Sequence, residues 1–423
     1  MDKLLKEFFE YERWNKAIQT GLDKDINKGL LKQLCDTEER IALYHQIKDG
    51  KYHVVPPHEA QIPKEDGSMR TVYVNEPKDR IVLSIINDML FDLYGSLLIS
   101  KTCKSYQKGI GCGKVVKQAS EAIKNTHRND IGVKLDLSKY FDSVKIWYID
   151  AVFDKLELLN GEKSAIIDIL REYYHNDTVI DMSKTEITKY TSLKQGCAVA
   201  SFLADVILHH IDEEISSNFD VYYVRYSDDI LIIGNEWQKA FDRIGSMLND
   251  MELTLNPKKV EYLYKDRWFK FLGFTLKDDK ISLGKSRIKT FQKEIEKRTV
   301  KSRKKNRKYE SIRNSVYHYL YDGYQGYSWA TGVLSIINTE EDINTLNTFV
   351  MDAIRASVTG KTKIGGLGVV TDERDRTILR GKGRHVKTNR EKIPELKDYV
   401  TLQCMRNALL VSKSAYDTLV SQL

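Results

Sequence analysis

Residues 221–234 read VYYVRYSDDILIIG, and this stretch decides the fold. Two runs rich in Val, Ile, Leu and Tyr flank a polar Ser-Asp-Asp, which predicts two strands joined by a tight turn. Upstream, residues 131–137 (IGVKLDL) alternate apolar side chains onto one face, which predicts a third strand with Asp136 on the other face. A long apolar helix is predicted after Gly196, and a further helix at 239–251. The order strand, helix, strand–turn–strand, helix fits a split βαβ, ferredoxin-like sheet in an α+β protein.

Three carboxylates, Asp136, Asp228 and Asp229, are predicted to lie at neighbouring strand ends. Consecutive aspartates in a tight turn repel each other, and the turn itself needs only one Asp or Asn. A divalent cation removes that conflict, because Mg²⁺ takes one or two carboxylates together with waters and substrate phosphates. Two such ions, about 3.5–4 Å apart, can flank an in-line displacement at phosphorus. An Asp-Asp turn by itself is more often a solvated turn, but the upstream Asp136 favours a metal site for phosphoryl transfer.

The composition indicates a folded protein with unevenly distributed basic charge. The 423 residues are 41% hydrophobic and carry a formal net charge of +7. Residues 285–308 hold twelve basic and two acidic residues, which suits a polyanion, although a solvated helix face explains the same run. The five cysteines lack metal-binding spacing, which indicates reduced thiols in a cytoplasmic protein. We find neither a signal peptide nor an apolar run of about 18 residues, and therefore expect no membrane partner.

Five ordered motifs in the middle of the chain resemble those of reverse transcriptases. Residues 226–229 (YSDD) match the Tyr-x-Asp-Asp box, 136–142 match the first catalytic motif, 193–196 (LKQG) resemble the Leu-Pro-Gln-Gly loop, 255–259 (LNPKK) resemble the lysine-bearing fourth motif, and 271–274 (FLGF) resemble the primer-grip hairpin. A single four-residue box carries little information, whereas five motifs in the family's order are specific. By this resemblance the chain is identified as a member of that family.

Flanking regions are similar to the bacterial group II intron and retron lineage. Residues 63–90 and 105–119 are similar to the fingers of those enzymes, and residues 323–330 (GYQGYSWA) look like their thumb. The chain departs from the pattern at Lys194, where the usual residue is proline. After the thumb we recognise no maturase or endonuclease domain. The chain is therefore most similar to stand-alone, defence-associated reverse transcriptases, the so-called unknown groups. Some of these copy a neighbouring noncoding RNA and protect bacteria against phage.

The resemblance implies roles for the residues that would carry the chemistry. Asp136, Asp228 and Asp229 would hold two Mg²⁺ ions, with Mn²⁺ as a substitute. Lys259 would protonate the leaving pyrophosphate. Lys258 is the alternative for this step, and a merely solvated lysine explains the same residue.

The resemblance also implies roles for residues that would bind the incoming nucleotide. Phe141 would be the steric gate that excludes a ribose 2′-hydroxyl, with an ordinary core phenylalanine as the alternative. Arg70 and Lys64 would hold the triphosphate, because a guanidinium suits phosphate oxygens. Gln195 would contact the incoming nucleotide.

The implied architecture is a right-hand polymerase of the α+β class, with a ferredoxin-like palm. We predict N-terminal helices and fingers at 1–130, a palm with an interleaved fingers segment at 131–284, a mostly helical thumb at 285–360 and a basic extension at 361–423. The expected reaction is RNA-directed DNA synthesis from dNTPs, with a specific noncoding RNA as template and DNA as product. The alternatives are template-independent or protein-primed DNA synthesis at the same site, a retron-type enzyme, or a catalytically silent RNA-binding protein.

Overall fold

A computed structural model describes most of the chain up to residue 339. The described residues are 2–23, 26–64, 68–107, 109–181, 183, 185–188, 192–302, 309–322, 328–329, 332–333, 335–339 and isolated positions between 342 and 357. The helices among them are α1 Lys3–Phe8, α2 Tyr11–Asp23, α3 Lys28–Cys35, α4 Thr37–Lys48, α5 Pro77–Leu98, α6 Cys112–Asn125, α7 Tyr140–Ser143, α8 Ile146–Asn160, α9 Ala165–His175, α10 Ala200–Ile207, α11 His209–Asn218, α12 Trp237–Asp250, α13 Lys285–Arg298 and α14 Tyr309–Tyr317, followed by a π-helix at His318–Asp322. The strands are β1 His58–Pro63, β2 Met69–Val74, β3 Asp130–Asp136, β4 Thr178–Ile180, β5 Glu186–Thr188, β6 Val221–Tyr226, β7 Asp229–Gly234, β8 Glu261–Tyr264, β9 Phe269–Phe271, β10 Phe274–Lys277 and β11 Lys280–Leu283.

Two compact units contain these elements. The first comprises residues 1–110 and 131–263, and the second comprises residues 111–130 and the described chain from 264 onward. The predicted fingers, palm, thumb and extension boundaries stay predictions. The predicted extension, 361–423, lies outside the described residues.

The central sheet of the first unit has the strand order β6-β7-β3-β8. The connection from β3 to the β6–β7 hairpin contains α7–α9, β4 and β5 and ends with α10 and α11, and α12 connects that hairpin to β8. This is the split βαβ arrangement predicted from the sequence, so the α+β class is confirmed. Strands β3 and β7 approach so closely at Gly132 that an added Cβ would lie 1.9 Å from the Ile232 carbonyl oxygen. The single long helix expected after Gly196 is instead broken at Leu208.

A second sheet, with the order β2-β1-β4-β5, carries the predicted triphosphate ligands. Strands β1 and β2 pair antiparallel as a hairpin, and residues 65–67 between them lie outside the described residues. Arg70 lies within β2, opposite Ile62 of β1.

Helix α5 is the longest helix of the first unit and packs in its core. By length and composition it is apolar enough to cross a membrane, although polar residues such as Asn87, Asp88 and Asp92 interrupt its apolar sequence. However, 56% of its most apolar window is buried inside the protein. Buried Val82, Ile86 and Met89 contribute to the hydrophobic core, and we therefore interpret α5 as a core helix.

The second unit contains the three-stranded sheet β11-β10-β9. Leu272 and Gly273 both adopt positive φ between β9 and β10, as a tight hairpin turn requires. Residues 271–274, whose resemblance implied a hairpin, therefore lie at the β9–β10 hairpin turn. Helix α13 follows and buries Phe291 and Ile295. Residues 303–308, the most basic part of the run at 285–308, lie outside the described residues.

Candidate active site

The three predicted carboxylates meet at one edge of the central sheet. Asp136, the last residue of β3, is directly opposite Asp229, the first residue of β7. The amide of Leu137 donates a 3.2 Å hydrogen bond to the Asp228 carbonyl oxygen, which fixes the turn against the end of β3. Ser227 adopts φ +60°, a left-handed conformation that costs a non-glycine residue energy. A strained two-residue turn therefore presents Asp228 beside Asp136.

Mutual repulsion and burial perturb these carboxylates. Burial raises the pKa of Asp228, and the nearby charge of Asp136 raises it further. Burial also raises the pKa of Asp229 to about 6, with repulsion from Asp228 and Asp136 adding to the effect. Like charges directly opposite each other in a sheet are destabilising. Purely structural requirements do not explain such an arrangement, whereas binding of a cation does.

The loop before β8 brings Lys259 to this edge. The Asn256 amide donates a 2.8 Å hydrogen bond to the Asp136 carbonyl oxygen, which anchors the loop to the end of β3. Lys259 Nζ lies 2.6 Å from Asp136 Oδ2. Burial alone would lower the pKa of Lys259, but the interaction with Asp136 outweighs it and raises the pKa. Lys258, the alternative residue, is exposed like Lys259, and it is Lys259 that forms the ion pair with Asp136.

The candidate gate, Phe141, is attached to the candidate nucleotide loop through its own backbone. Its carbonyl oxygen accepts hydrogen bonds from Ser192 Oγ at 2.6 Å and from the Leu193 amide at 3.1 Å. Its ring is half-buried and lies at the margin of the hydrophobic core, 5.7 Å from the Tyr140 ring centroid. This position is compatible both with a gate and with a peripheral core residue.

Gln195 and the β1–β2 hairpin are joined by backbone contacts. The Tyr73 amide of β2 donates a 2.7 Å hydrogen bond to the Gln195 carbonyl oxygen. Arg70 of the same strand is exposed, and its charge lowers the pKa of Asp228. Lys64 is also exposed, and its amide donates to the Ser68 carbonyl oxygen across the hairpin. The structure thus brings Arg70 into the electrostatic field of the carboxylates.

Sequence reasoning missed a buried ionic network behind the turn that carries Asp228. Arg225 is fully buried and pairs with Asp212, with NH2 2.6 Å from Oδ2. Its NH1 donates a 3.2 Å hydrogen bond to the Ser227 carbonyl oxygen, and therefore supports the strained turn. Asp205 accepts a 2.5 Å hydrogen bond from Ser105 Oγ, and burial raises its pKa to about 6. The available signal was a charged residue inside an apolar strand, VYYVRY, because buried charges need partners.

A divalent cation fits this edge when substrate phosphates complete its coordination. Within the described ranges, no set of three or more His, Cys, Asp or Glu side chains converges to hold a metal alone. Asp136, Asp228 and Asp229 therefore lie at the same sheet edge but do not by themselves form a complete metal-coordination site. Mg²⁺ needs only one or two protein carboxylates, however. The ammonium of Lys259 already lies against Asp136, where a positive charge is favourable.

This fold and site define a class. A ferredoxin-like sheet with facing aspartates at its edge and a lysine beside them is the palm arrangement of nucleic-acid polymerases. Residues 62–276, just over half of the chain, match the family model of reverse transcriptase (RNA-dependent DNA polymerase). The chain belongs to the reverse transcriptase family.

Several known proteins are similar to this chain. The Retron Ec48 reverse transcriptase of Escherichia coli is 26% identical over an alignment of 281 residues that covers 62% of this chain and 59% of that protein. The putative COX1/OXI3 intron 1 protein of Saccharomyces cerevisiae is 22% identical over 63% of this chain and 37% of that protein. The chain thus spans less than two thirds of these relatives. The structure of telomerase from Candida albicans in complex with a fragment of telomeric RNA is also similar. The match covers 94% of this chain and 69% of the telomerase chain, with 13% sequence identity and a TM-score of 0.46.

Proposed function

We propose that the protein is an RNA-directed DNA polymerase that uses two divalent metal ions, Mg²⁺ with Mn²⁺ as a substitute. The observation that carries this proposal is the facing pair Asp136 and Asp229, with Asp228 in the adjoining turn. Asp136 and Asp228 would hold the ions, with Asp229 as a secondary ligand. Bound there, the ions would supply Lewis acidity and neutralise the charge of the triphosphate.

The protein's own residues would bind and orient the nucleotide. Arg70 would pair with the triphosphate, because it is an exposed cation whose charge acts on Asp228, and Lys64, an exposed cation on the same hairpin, would assist it. Gln195 would contact the incoming nucleotide, and the Phe141 ring would exclude a 2′-hydroxyl. Lys259 has a raised pKa and therefore keeps its proton, so that it can donate one to the leaving pyrophosphate.

Removal of the turn carboxylates tests this proposal. Asp228→Ala with Asp229→Ala should lower dNTP incorporation on a primed RNA by roughly a thousandfold or more, because a stabilisation of several kcal/mol is lost. The matched control is Asp242→Ala with Asp250→Ala, two exposed aspartates on α12. Circular dichroism and RNA binding should stay unchanged in both proteins. Incorporation by the first double variant at the wild-type rate would refute the proposed site.

The template requirement separates this function from its closest alternative. Sequencing of the product should show a copy of the supplied RNA, and no product should form without RNA. Product formed without RNA, and lost with Asp228→Ala, would instead indicate template-independent or protein-primed synthesis at the same site.

We further infer that the enzyme acts in the bacterial cytoplasm, in antiphage defence, by copying a specific noncoding RNA. The resemblance to stand-alone defence-associated enzymes supports this role. A retron-type enzyme is the second candidate, favoured by the similarity to the Retron Ec48 reverse transcriptase. Residues 361–397 hold eleven Lys and Arg against five Asp and Glu, a composition that suits RNA binding.

A further inference from the structure

A buried lysine ammonium anchors the loop at residues 192–197. The Lys194 side chain is fully buried. Its Nζ donates hydrogen bonds to the carbonyl oxygens of Tyr173 at 2.5 Å and Asn176 at 2.7 Å. The same ammonium lies 4.2 Å from the centroid of the Tyr173 ring. A buried lysine is costly unless its donors are paired, and here two carbonyls and a ring face pair them.

The two carbonyls belong to the C-terminal end of α9. The last carbonyls of a helix have no partner within the helix, and the helix dipole makes them favourable for a cation. Lys194 therefore caps α9 from a loop that follows it in the chain. Its backbone has φ +49°, whereas the proline ring fixes φ near −65°. Proline, the usual residue of this motif, is incompatible with the conformation that this loop adopts.

The loop that Lys194 anchors touches the nucleotide site on two sides. On one side, Ser192 and Leu193 donate to the Phe141 carbonyl oxygen. On the other side, Gln195 accepts from the Tyr73 amide of the strand that carries Arg70. At Gly196 the backbone has φ +113°, and an added Cβ would lie 2.8 Å from the Tyr73 carbonyl oxygen. The loop therefore has little freedom to move against β2 while Lys194 holds it from the core side.

We propose that Lys194 is a positioning residue for the incoming nucleotide: it ties the Gln195 loop to the end of α9 and so sets how Gln195 and Phe141 meet the substrate. This inference rests on the proposed function. Because Lys194 is buried, it acts through the loop and not by contact with the nucleotide. Its loss should weaken ground-state and transition-state binding equally, which raises KM and leaves kcat nearly unchanged.

The test compares Lys194→Met with a matched control, Lys265→Met. Methionine keeps the length of the lysine side chain and removes its donors. Lys265 Nζ likewise donates to two carbonyl oxygens at the C-terminal end of a helix, those of Lys124 in α6 and Thr126 just after it in the other unit, but it is only half-buried and also faces Asp278. Single-nucleotide incorporation should show a KM for dNTP that is roughly tenfold higher for Lys194→Met, as expected from loss of about one buried hydrogen bond. Its kcat should stay within about twofold, and Lys265→Met should leave KM unchanged.

Hydrogen exchange gives a second readout that does not depend on catalysis. In Lys194→Met, the amide hydrogens of Tyr73 and Leu193 should exchange faster. The Tyr73 amide donates to Gln195 of the loop, and the Leu193 amide donates from the loop to Phe141, so both hydrogen bonds weaken when the loop is released. If Lys194→Met does not fold, the same measurements are made on Lys194→Gln. Because glutamine retains hydrogen-bond donors, the increase in KM should then be smaller. An unchanged KM, a loss confined to kcat, or an equal effect of Lys265→Met would overturn the inference.

Equilibrium binding separates this inference from the proposed function. Binding of dTTP with Mg²⁺ should be weakened by Lys194→Met and unaffected by Lys265→Met. If the wild-type protein binds dTTP in this way but incorporates none, the proposed function fails and the positioning role stands. If the wild type incorporates dNTPs and Lys194→Met binds dTTP normally, only the positioning role fails.

Discussion

Phe141 is the residue that we propose to decide which sugar is accepted. Its ring is half-buried at the core margin, five residues after Asp136. If it is the gate, Phe141→Val should raise the rNTP to dNTP incorporation ratio by about ten- to a hundredfold, the range for a small change of volume in a pocket. Primer extension with each nucleotide measures this ratio. Phe153→Val, at a fully buried phenylalanine of α8, is the control and should leave the ratio unchanged. If Phe141→Val is active and its rNTP to dNTP incorporation ratio equals that of the wild type, Phe141 is an ordinary core residue.

Asp229 carries a stability cost that depends on pH. Its pKa in the folded protein is raised to about 6 from 3.8, so the folded state binds its proton more tightly than the unfolded state. Stability from this group is therefore lost as pH rises through about 4 to 6. In EDTA at pH 7.5, the melting temperature of Asp229→Asn should be a few degrees higher than that of the wild type. In a unit of this size, each kcal/mol gained in the free energy of unfolding raises the melting temperature by about 2–4 °C.

The difference in melting temperature between Asp229→Asn and the wild type should depend on pH and on the Mg²⁺ concentration. At pH 4.5 it should shrink, because wild-type Asp229 is then largely protonated in the folded protein. Added Mg²⁺ should stabilise the wild type more than the variant. Asp242→Asn, at an exposed site, serves as the control. Equal melting temperatures of wild type and Asp229→Asn at pH 7.5 would contradict this account of the site.

The positions of Asp228 and Asp229, the proposed metal ligands, depend on the conformation of the β6–β7 hairpin. Arg225 donates to the Ser227 carbonyl oxygen and thereby holds Ser227 in its left-handed conformation. Arg225→Lys keeps a cation for buried Asp212 but loses the reach of the guanidinium, and kcat should fall by about a hundredfold, the cost of a displacement near 1 Å. Ser227→Gly in that background should recover part of kcat, because glycine adopts positive φ without strain.

A double-mutant cycle measures this coupling. The kcat values of wild type, both single variants and the double variant give the interaction energy between the two positions. Ser227→Gly alone should stay close to wild type. If the two effects on kcat are simply additive, Arg225 supports the fold in general and not this turn.

Helix α13 presents a line of lysines on its exposed side. Lys285, Lys289, Lys293 and Lys297 are all exposed and recur every four residues, about 6 Å apart along the axis. Phe291 and Ile295 of the same helix are buried. Regular cations at this spacing suit a nucleic-acid backbone, because each neutralised phosphate releases counterions. We therefore expect this face to bind template or product strands.

Charge reversal tests this lysine line. Changing Lys285, Lys289 and Lys293 to Glu should weaken RNA binding and reduce the slope of log K against log salt by about two to three. The control reverses three other exposed lysines, Lys155, Lys163 and Lys239. An equal loss in both proteins would reflect net charge alone, and no loss would mark the line as a solvated face.

The elements near the carboxylates were largely predictable because alternation and turn chemistry are local signals. The β6–β7 hairpin, β3 and the β9–β10 hairpin all have strands of regular apolar pattern around polar or glycine turns. The break of the predicted long helix at Leu208 was not predictable, since the sequence 198–215 is continuously helical in character. The hydrogen bonds of Lys194 were also hidden, because they reach a helix end about twenty residues away. Such contacts depend on tertiary packing and leave no periodic trace in the sequence.

At the scale of the whole molecule, the distribution of charge bears on which RNA is copied. Besides the lysine line of α13, the sequence places a second basic stretch at 361–397, rich in glycine. Glycines let a backbone approach phosphates closely. RNA is recognised mostly through its shape, unpaired bases and 2′-hydroxyls, which an extended basic segment can contact. A polymerase free to copy any cellular RNA would be hazardous, so a dedicated RNA-binding segment is a plausible source of template choice.

We therefore expect the full chain to copy one partner RNA in cells and to protect them against phage. The gene is expressed with its flanking noncoding DNA, the cells are challenged with phage, and bound RNA and cDNA are sequenced. One dominant RNA, with cDNA antisense to it, should be found, and Asp228→Ala should abolish both the cDNA and the protection. Changing Arg374, Arg376, Arg380 and Lys382 to Gln should remove the preference for that RNA while leaving incorporation on an artificial primed template intact. Bound RNA without preferred sequence, or protection that survives Asp228→Ala, would refute the role in defence without touching the polymerase activity itself, because the artificial template measures that activity separately.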